Sequence, residues 1–112
     1  MFLARVTGCV VASQKDKVLS GQTLFVVEPL NVKYGDDQKP AALGNTGRAI
    51  VAIDAVGAGE GQLVLVVQGS SARMTEKTKN LPADAVIVGI VDTATYGGKT
   101  FFQANTETQA TK

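Results

Sequence analysis

Two stretches rich in glycine and small side chains carry the residue types most able to do chemistry. The first runs from Asp54 to Gly61 (Asp-Ala-Val-Gly-Ala-Gly-Glu-Gly) and is similar to loops that cradle phosphate with backbone N–H groups. Such loops open a helix, and the P-loop adds a lysine, whereas these glycines lead into Gln62 and an apolar run. We therefore interpret the stretch as a tight turn between strands. Its structural residues are Asp54, Gly57, Ala58 and Gly59.

The second stretch is Gly69-Ser70-Ser71-Ala72-Arg73. Small hydroxyls, backbone N–H groups at a helix start and an arginine together are able to bind an anion. The same arginine is also suited to contact a carboxylate or carbonyl on another protein chain. Both interpretations of Gly69, Ser70, Ser71, Ala72 and Arg73 remain open at this point: an anion-binding site or an assembly contact.

The composition argues against catalysis. The chain has no histidine, which removes the usual general base, the Ser-His and Cys-His nucleophile pairs and the commonest zinc ligand. Asp54, Asp84 and Asp92 offer carboxylates, but each stands at a strand edge, where aspartate ordinarily accepts hydrogen bonds from turn amides. We expect no enzyme activity, no metal and no cofactor.

Charge and hydropathy limit the partners. The net charge is +1, and the six Phe and Tyr residues are scattered, so no basic aromatic surface for nucleic acid is predicted. The apolar runs Leu63–Val67 and Val86–Val91 are far shorter than a membrane span of about 20 residues. The single cysteine, Cys9, fits a reducing cytoplasm. We expect a cytoplasmic protein that binds neither nucleic acid nor a membrane.

The elements that position these residues show mostly a period of two, which is typical of strands. The predicted strands are separated by turns rich in glycine, and a Gly97-Gly98 pair marks a hairpin. This pattern predicts an all-β domain, a small barrel or a sandwich, over residues 1–103. The strands are expected at Phe2–Ala12, Thr23–Val27, Ala49–Ala55, Leu63–Gln68, Ala85–Thr93 and Thr100–Gln103.

Five segments do not follow a clean alternation. Leu63–Val67 and Val86–Val91 are apolar on both faces, so their outer face meets either another subunit or the chain's own helix and loops. Lys33–Arg48 is polar and without a period, which predicts a long loop. Ser71–Asn80 predicts one short helix after the fourth strand, and residues 104–112 predict a disordered tail.

Four segments taken together resemble the EutN/CcmL family of bacterial microcompartment vertex proteins. They occur in the same order and at the same spacing as in the family, and the resemblance covers residues 1 to about 103. The segments Lys33–Arg48 and the polar tail after Gln103 are longer than the family pattern. The matching segments are Gly8–Lys15, Val51–Gly59, Gly69–Arg73 and Pro82–Asp92.

The resemblance implies a closed β-barrel of oligonucleotide-binding (OB) topology that assembles into a cyclic pentamer. Such pentamers close the vertices of protein shells whose facets are tiled by hexameric or trimeric shell proteins. A homopentamer in a cytoplasmic microcompartment shell, without catalytic activity, is therefore the expectation. The alternatives are a stand-alone barrel that binds a small ligand or anion at Ser70–Arg73, and a nucleic-acid-binding barrel.

Overall fold

A computed structural model describes residues 1–13, 15, 17–69, 72, 74, 76 and 84–104. Within this part of the chain the structure is mainly β, with eight strands and a three-residue 3-10 helix at Lys17–Leu19. The strands are β1 (Phe2–Val10), β2 (Leu24–Tyr34), β3 (Pro40–Asn45), β4 (Ile50–Asp54), β5 (Leu63–Gln68), β6 (Ala85–Ile90), β7 (Thr93–Tyr96) and β8 (Lys99–Gln103).

Five of the strands pair in a ring. β1 pairs antiparallel with both β2 and β5, and β5 pairs antiparallel with β6. β6 runs parallel to β4, and β4 pairs antiparallel with β2, which returns to β1. β3 extends this sheet beyond β2, while β7 and β8 form a separate two-stranded sheet.

The ring encloses a core that the period-two pattern predicts. In β1 the even-numbered Ala4 and Val6 are buried, and between Val6 and Gly8 the pairing with β2 shifts register. Each valine that is fully buried contributes about 1.5–3 kcal/mol relative to an exposed one. The buried residues of this core are Ala4, Val6, Phe25, Val27, Ala52, Val64, Val66, Ala85 and Ile87.

The outer faces of the doubly apolar strands are covered in part within the chain. Val86 is fully buried in a cluster with Ile53 and Ala72, against which Leu19 also packs. Leu63 is 2% exposed and packs in a cluster with Leu30 and Phe102. The chain's own elements therefore bury Leu63 and Val86, whereas Val67 and Val88 are only partly buried and Ile90 is 37% exposed. Cover of this remainder by another subunit stays a prediction.

The long loop predicted over Lys33–Arg48 is wrong for most of its length. β2 continues to Tyr34 and turns back into β3, with the Gly35 N–H donating to the Lys39 carbonyl at 2.9 Å. All four residues at 31–34 are exposed, so neither face of this ribbon carries the alternation that marks a half-buried strand. The segment is a projecting β-hairpin.

The hairpin predicted at Gly97-Gly98 is present, joining β7 to β8. Both glycines have positive φ, 56° and 80°, as the central residues of a two-residue hairpin turn with matching twist require. The tip of this hairpin lies beside the β2–β3 hairpin, because a cavity of about 240 Å³ is lined by Lys39 and Pro40 on one and Tyr96 and Lys99 on the other.

Two expectations fall on residues that the structure does not describe. The helix predicted over Ser71–Asn80 lies outside the described residues except at Ala72, Met74 and Glu76, and the tail lies outside them from residue 105 onwards. In the part of the chain that is described, no helix is long and apolar enough to cross a membrane.

Candidate assembly site

Asp54 organises the turn that follows β4. The residue is 6% exposed, and its carboxylate accepts hydrogen bonds from three consecutive backbone N–H groups. Val56 donates to Oδ1 at 3.1 Å, Gly57 to Oδ1 and Oδ2 at 3.2 and 3.1 Å, and Ala58 to Oδ2 at 3.0 Å. An acidic side chain that is tied to backbone amides in this way shapes the chain and is poorly placed to act as a general base.

Two neighbouring strands hold the start of this turn. The Asp54 N–H donates to the Thr23 carbonyl at 2.9 Å, and the Ala55 N–H donates to the Ile87 carbonyl at 3.2 Å. The carboxylate is thus carried by backbone that is fixed on both sides, which keeps its oxygens aimed at the three amides.

The two glycines predicted as turn residues differ in their backbone. Gly57 has φ of 83°, in the left-handed region that residues with a Cβ disfavour. Gly59 is outside that region, and a Cβ placed on it would meet only Gln62 Oε1, at 4.0 Å, among the described atoms. The structure therefore supplies a conformational reason for Gly57 and none, within this single chain, for Gly59.

The far end of the turn is fastened to β1. Gly61 donates its N–H to the Val6 carbonyl at 2.8 Å, and the Val6 N–H donates to the Gln62 carbonyl at 3.0 Å. The Arg5 guanidinium also donates to the Gly61 carbonyl at 2.9 Å. The Gln62 side chain accepts the Gly59 N–H at 2.8 Å, so Arg5 and Gln62 both stabilise the turn.

Arg5 and Gln62 were absent from the residues expected from the sequence. Their roles follow from the antiparallel register of β1 and β5, which pairs Arg5 with Leu63 and so brings β1 to the end of the turn. Because that register is a tertiary property, a local pattern around either residue gives no signal of it.

The turn forms one wall of an open groove of about 880 Å³. The opposite wall comes from the end of β6, the following Val91 and Asp92, and the end of β8. The groove is lined mostly by glycines and apolar side chains, and the described residues contain no group of three His, Cys, Asp or Glu able to hold a metal ion.

The second predicted stretch is described only in part. Gly69 follows β5 with φ of 69°, and its N–H donates to the Asp84 carbonyl at 2.8 Å. Ala72 is fully buried in the cluster with Ile53 and Val86. Ser70, Ser71 and Arg73 lie outside the described residues, so the anion-binding and assembly interpretations of these three residues stay predictions.

The other two aspartates considered in the sequence, Asp84 and Asp92, lie just before and just after β6. Asp84 and Asp92 are exposed, whereas Asp54 is buried by its turn. Asp92 lines the groove and also accepts, through its backbone carbonyl, the Ala104 N–H at 2.9 Å.

Comparison with known proteins places this geometry in a family. Residues 1–92 match the family model described as "Ethanolamine utilisation protein EutN/carboxysome". The chain is 46% identical over 93 residues to the bacterial microcompartment shell vertex protein PduN of Salmonella typhimurium, covering 83% of this chain and 97% of PduN.

Solved structures agree. The ethanolamine utilization protein EutN superposes with a TM-score of 0.78 at 37% identity, covering 92% of this chain and 98% of that one. The GrpN pentameric microcompartment shell protein of Rhodospirillum rubrum superposes with a TM-score of 0.62 at 38% identity, covering 86% and 98%. The chain therefore belongs to the EutN/CcmL family.

Proposed function

We propose that the protein is a structural subunit, without catalytic activity, that forms homopentamers at the vertices of a bacterial microcompartment shell. The observation that carries this is the match of residues 1–92 to the EutN/CcmL family, whose relatives include a shell vertex protein and a pentameric shell protein. The surroundings of Asp54 support it, because the buried carboxylate of the turn is used by backbone amides.

We further infer that the ring of strands is a closed barrel of OB topology. Five strands return to their starting partner through β1–β2 pairing, which is how a sheet removes its edges. A closed ring gives each subunit a rigid body, so that assembly contacts are left to the turns, hairpins and outer faces.

The two small-residue stretches are proposed as assembly elements. The turn at Asp54, Gly57, Ala58 and Gly59 lines the groove from Gly57 onwards, which puts glycine backbone at an open surface where another chain is able to approach closely. Gly59 has room for a Cβ within its own chain, so a need for glycine there would come from a neighbouring subunit. For Ser70, Ser71 and Arg73 the proposal rests on the resemblance alone.

Hexameric or trimeric shell proteins are the proposed partners of the pentamer, and the cytoplasmic shell of a microcompartment is the proposed location. A pentamer at a vertex is surrounded by the flat facets of the shell. The proteins that tile those facets are therefore its neighbours. No residue of the described part is assigned to that contact.

Native mass spectrometry at micromolar concentration tests the proposal. We expect the mass of five chains. A monomer would contradict a vertex role, and a hexamer would contradict five-fold closure. Retention on a nucleic-acid column that weakens with salt would instead support the nucleic-acid-binding alternative.

A further inference from the structure

The β3 strand forms an edge of the six-stranded sheet. It lies last in the order β1-β5-β6-β4-β2-β3, and among the described residues it pairs with β2 alone. β8 approaches only the start of this strand, where Pro40 and Ala41 line the cavity between the two hairpins. In an antiparallel pair, every second residue directs its N–H and C=O away from the partner strand. The second half of β3, from Ala42 to Asn45, therefore presents backbone groups that no described residue pairs.

Such an edge is a template for the addition of a further strand, and proteins commonly protect it with charged side chains, bulges or proline. β3 (Pro-Ala-Ala-Leu-Gly-Asn) carries no charged side chain of its own. Its proline stands at the end of the strand that β8 approaches. Protection of the second half of β3 therefore has to come from a side chain of the neighbouring strand.

The side chain of Lys33 in β2 lies across β3 at Gly44. A Cβ placed on Gly44 would overlap Lys33 Cε and would meet Cδ at 2.8 Å and Cγ at 3.0 Å. The residue that pairs with Lys33 is Ala42, whereas Gly44 pairs with Asn31. To reach Gly44 the lysine therefore runs diagonally over the edge strand, which carries its ammonium to the second half of β3.

Gly44 makes room for this side chain. Its φ is not positive, so the backbone conformation gives no reason for a glycine at this position. Gly44 is buried, while Ala42 and Asn45 on the same strand are exposed, because the stem of Lys33 covers it. A slot of this kind restricts the rotamers of a long side chain, so the charge is held over the edge strand.

We propose that Lys33, held over β3 by Gly44, prevents another copy of the protein from adding a strand to this edge. A copy that docks here brings its own Lys33 to the same edge, and like charges that face each other across strands oppose pairing. Away from that register, the ammonium would lose its water against the apolar side chains of the incoming strand. Strand addition is open-ended and leads to fibres, so a subunit of a closed assembly gains from an edge that excludes it.

Two substitutions remove the protection in different ways. Lys33→Thr removes the charge and the stem without adding a large apolar side chain, and threonine favours strands. Gly44→Ala keeps the lysine but fills the slot with a methyl group, which displaces the side chain from β3. We expect both variants to form species of at least double the wild-type mass in sedimentation velocity, in proportions that grow with protein concentration.

Two further variants are the controls. Lys33→Arg keeps the charge on a long stem, and Lys39→Thr removes an exposed lysine from the same hairpin without touching Gly44. Both are expected to sediment as the wild type does. Hydrogen exchange adds a readout of the edge itself, because amides of Ala42–Asn45 that point away from β2 should exchange more slowly once a further strand pairs with them.

The result that supports the proposal is growth of Lys33→Thr and Gly44→Ala, but of neither control, with slower exchange in β3. Wild-type mass for Lys33→Thr or Gly44→Ala overturns it, as does equal growth of the Lys39→Thr control. Larger species whose β3 amides exchange as fast as in the wild type also overturn it, because they associate through another surface. Each variant is compared with the wild type's own mass, so a monomeric wild type would contradict the proposed vertex role and leave this test intact.

Discussion

At the scale of single residues, Asp54 shows how a motif that looks chemical is structural. One carboxylate satisfies three backbone N–H groups that the turn leaves without partners in a sheet. Charged acceptors make stronger hydrogen bonds than neutral ones, and an unsatisfied buried donor carries a desolvation cost. Aspartate is therefore the side chain that this turn needs.

Removing the carboxylate should destabilise the subunit. Asp54→Ala leaves three donors without their acceptor, and we expect a loss of about 2–3 kcal/mol in the free energy of unfolding. Urea denaturation at matched protein concentration measures it. Asp36→Ala, which removes an exposed carboxylate from a turn residue of the β2–β3 hairpin, is the control. Equal unfolding midpoints for the two variants would contradict the role given to Asp54.

Gly57 and Gly59 make a matched pair, because one has positive φ and the other does not. Gly57→Ala is expected to cost about 1–2 kcal/mol, the penalty of a left-handed residue with a Cβ. Gly59→Ala should stay within about 0.5 kcal/mol in the isolated subunit. Thermal denaturation compares them, and equal costs would show that φ is not the deciding factor. If Gly59→Ala keeps its fold but loses the pentamer, Gly59 lies at a subunit contact.

The residue scale was partly predictable. A turn at Asp54–Gly59 follows from the residue types, since glycine and aspartate after an apolar run have few other uses. The residue types do not predict which of the two glycines takes positive φ, because that depends on how the chain leaves β4 and where β5 begins beside β1. The hydrogen bonds by which Arg5 and Gln62 stabilise the turn depend on the long-range register of β1 and β5.

At the scale of elements, the sequence predicts the strands that bury one face in a core and misses the strands that are exposed on both faces. β1, β5 and β6 follow the predicted runs closely because their side chains face a core. β3 is Pro-Ala-Ala-Leu-Gly-Asn, a composition with low strand propensity, and it exists because β2 supplies its hydrogen-bond partners. An exposed ribbon leaves no hydrophobic alternation for the sequence to show.

The β7–β8 hairpin lies beyond residues 1–92 of the family match, yet it packs on the ring of strands. Phe102 is 7% exposed and packs with Leu30 and Leu63, which gives the outer face of β5 its cover. The hairpin is therefore part of the folded unit, and the predicted domain boundary near Gln103 places it inside the domain.

Truncating Phe102 should show this contribution. Phe102→Ala is expected to cost about 3–4 kcal/mol, as for other buried phenylalanines. The adjacent Phe101 is only half-buried, so Phe101→Ala is the control with the same chemistry at the next position and should cost clearly less. Denaturant unfolding followed by circular dichroism measures both. A Phe102→Ala variant as stable as the control would mean that the hairpin is not packed on the ring of strands.

At the scale of the whole molecule, folding and assembly are coupled by mass action. The described chain buries Leu63 and Val86 on the outer faces of β5 and β6 itself, so the subunit is expected to fold as a unit before it docks. The surface left open is mixed in polarity, with exposed apolar side chains such as Val11, Val51 and Tyr34 on several elements. Such surfaces bind reversibly, so the stability of the assembly depends on protein concentration.

The melting temperature should therefore rise with concentration. For five chains that unfold as they separate, an enthalpy of about 0.7 kcal/mol per residue gives an increase of roughly 5 °C for each tenfold increase in protein. Scanning calorimetry from 1 to 100 times a starting concentration measures it, and a variant that native mass spectrometry shows to be monomeric is the control, with a constant melting temperature. If the wild type also melts at a constant temperature, the subunits separate before they unfold, and the stability of the single subunit alone sets the melting temperature.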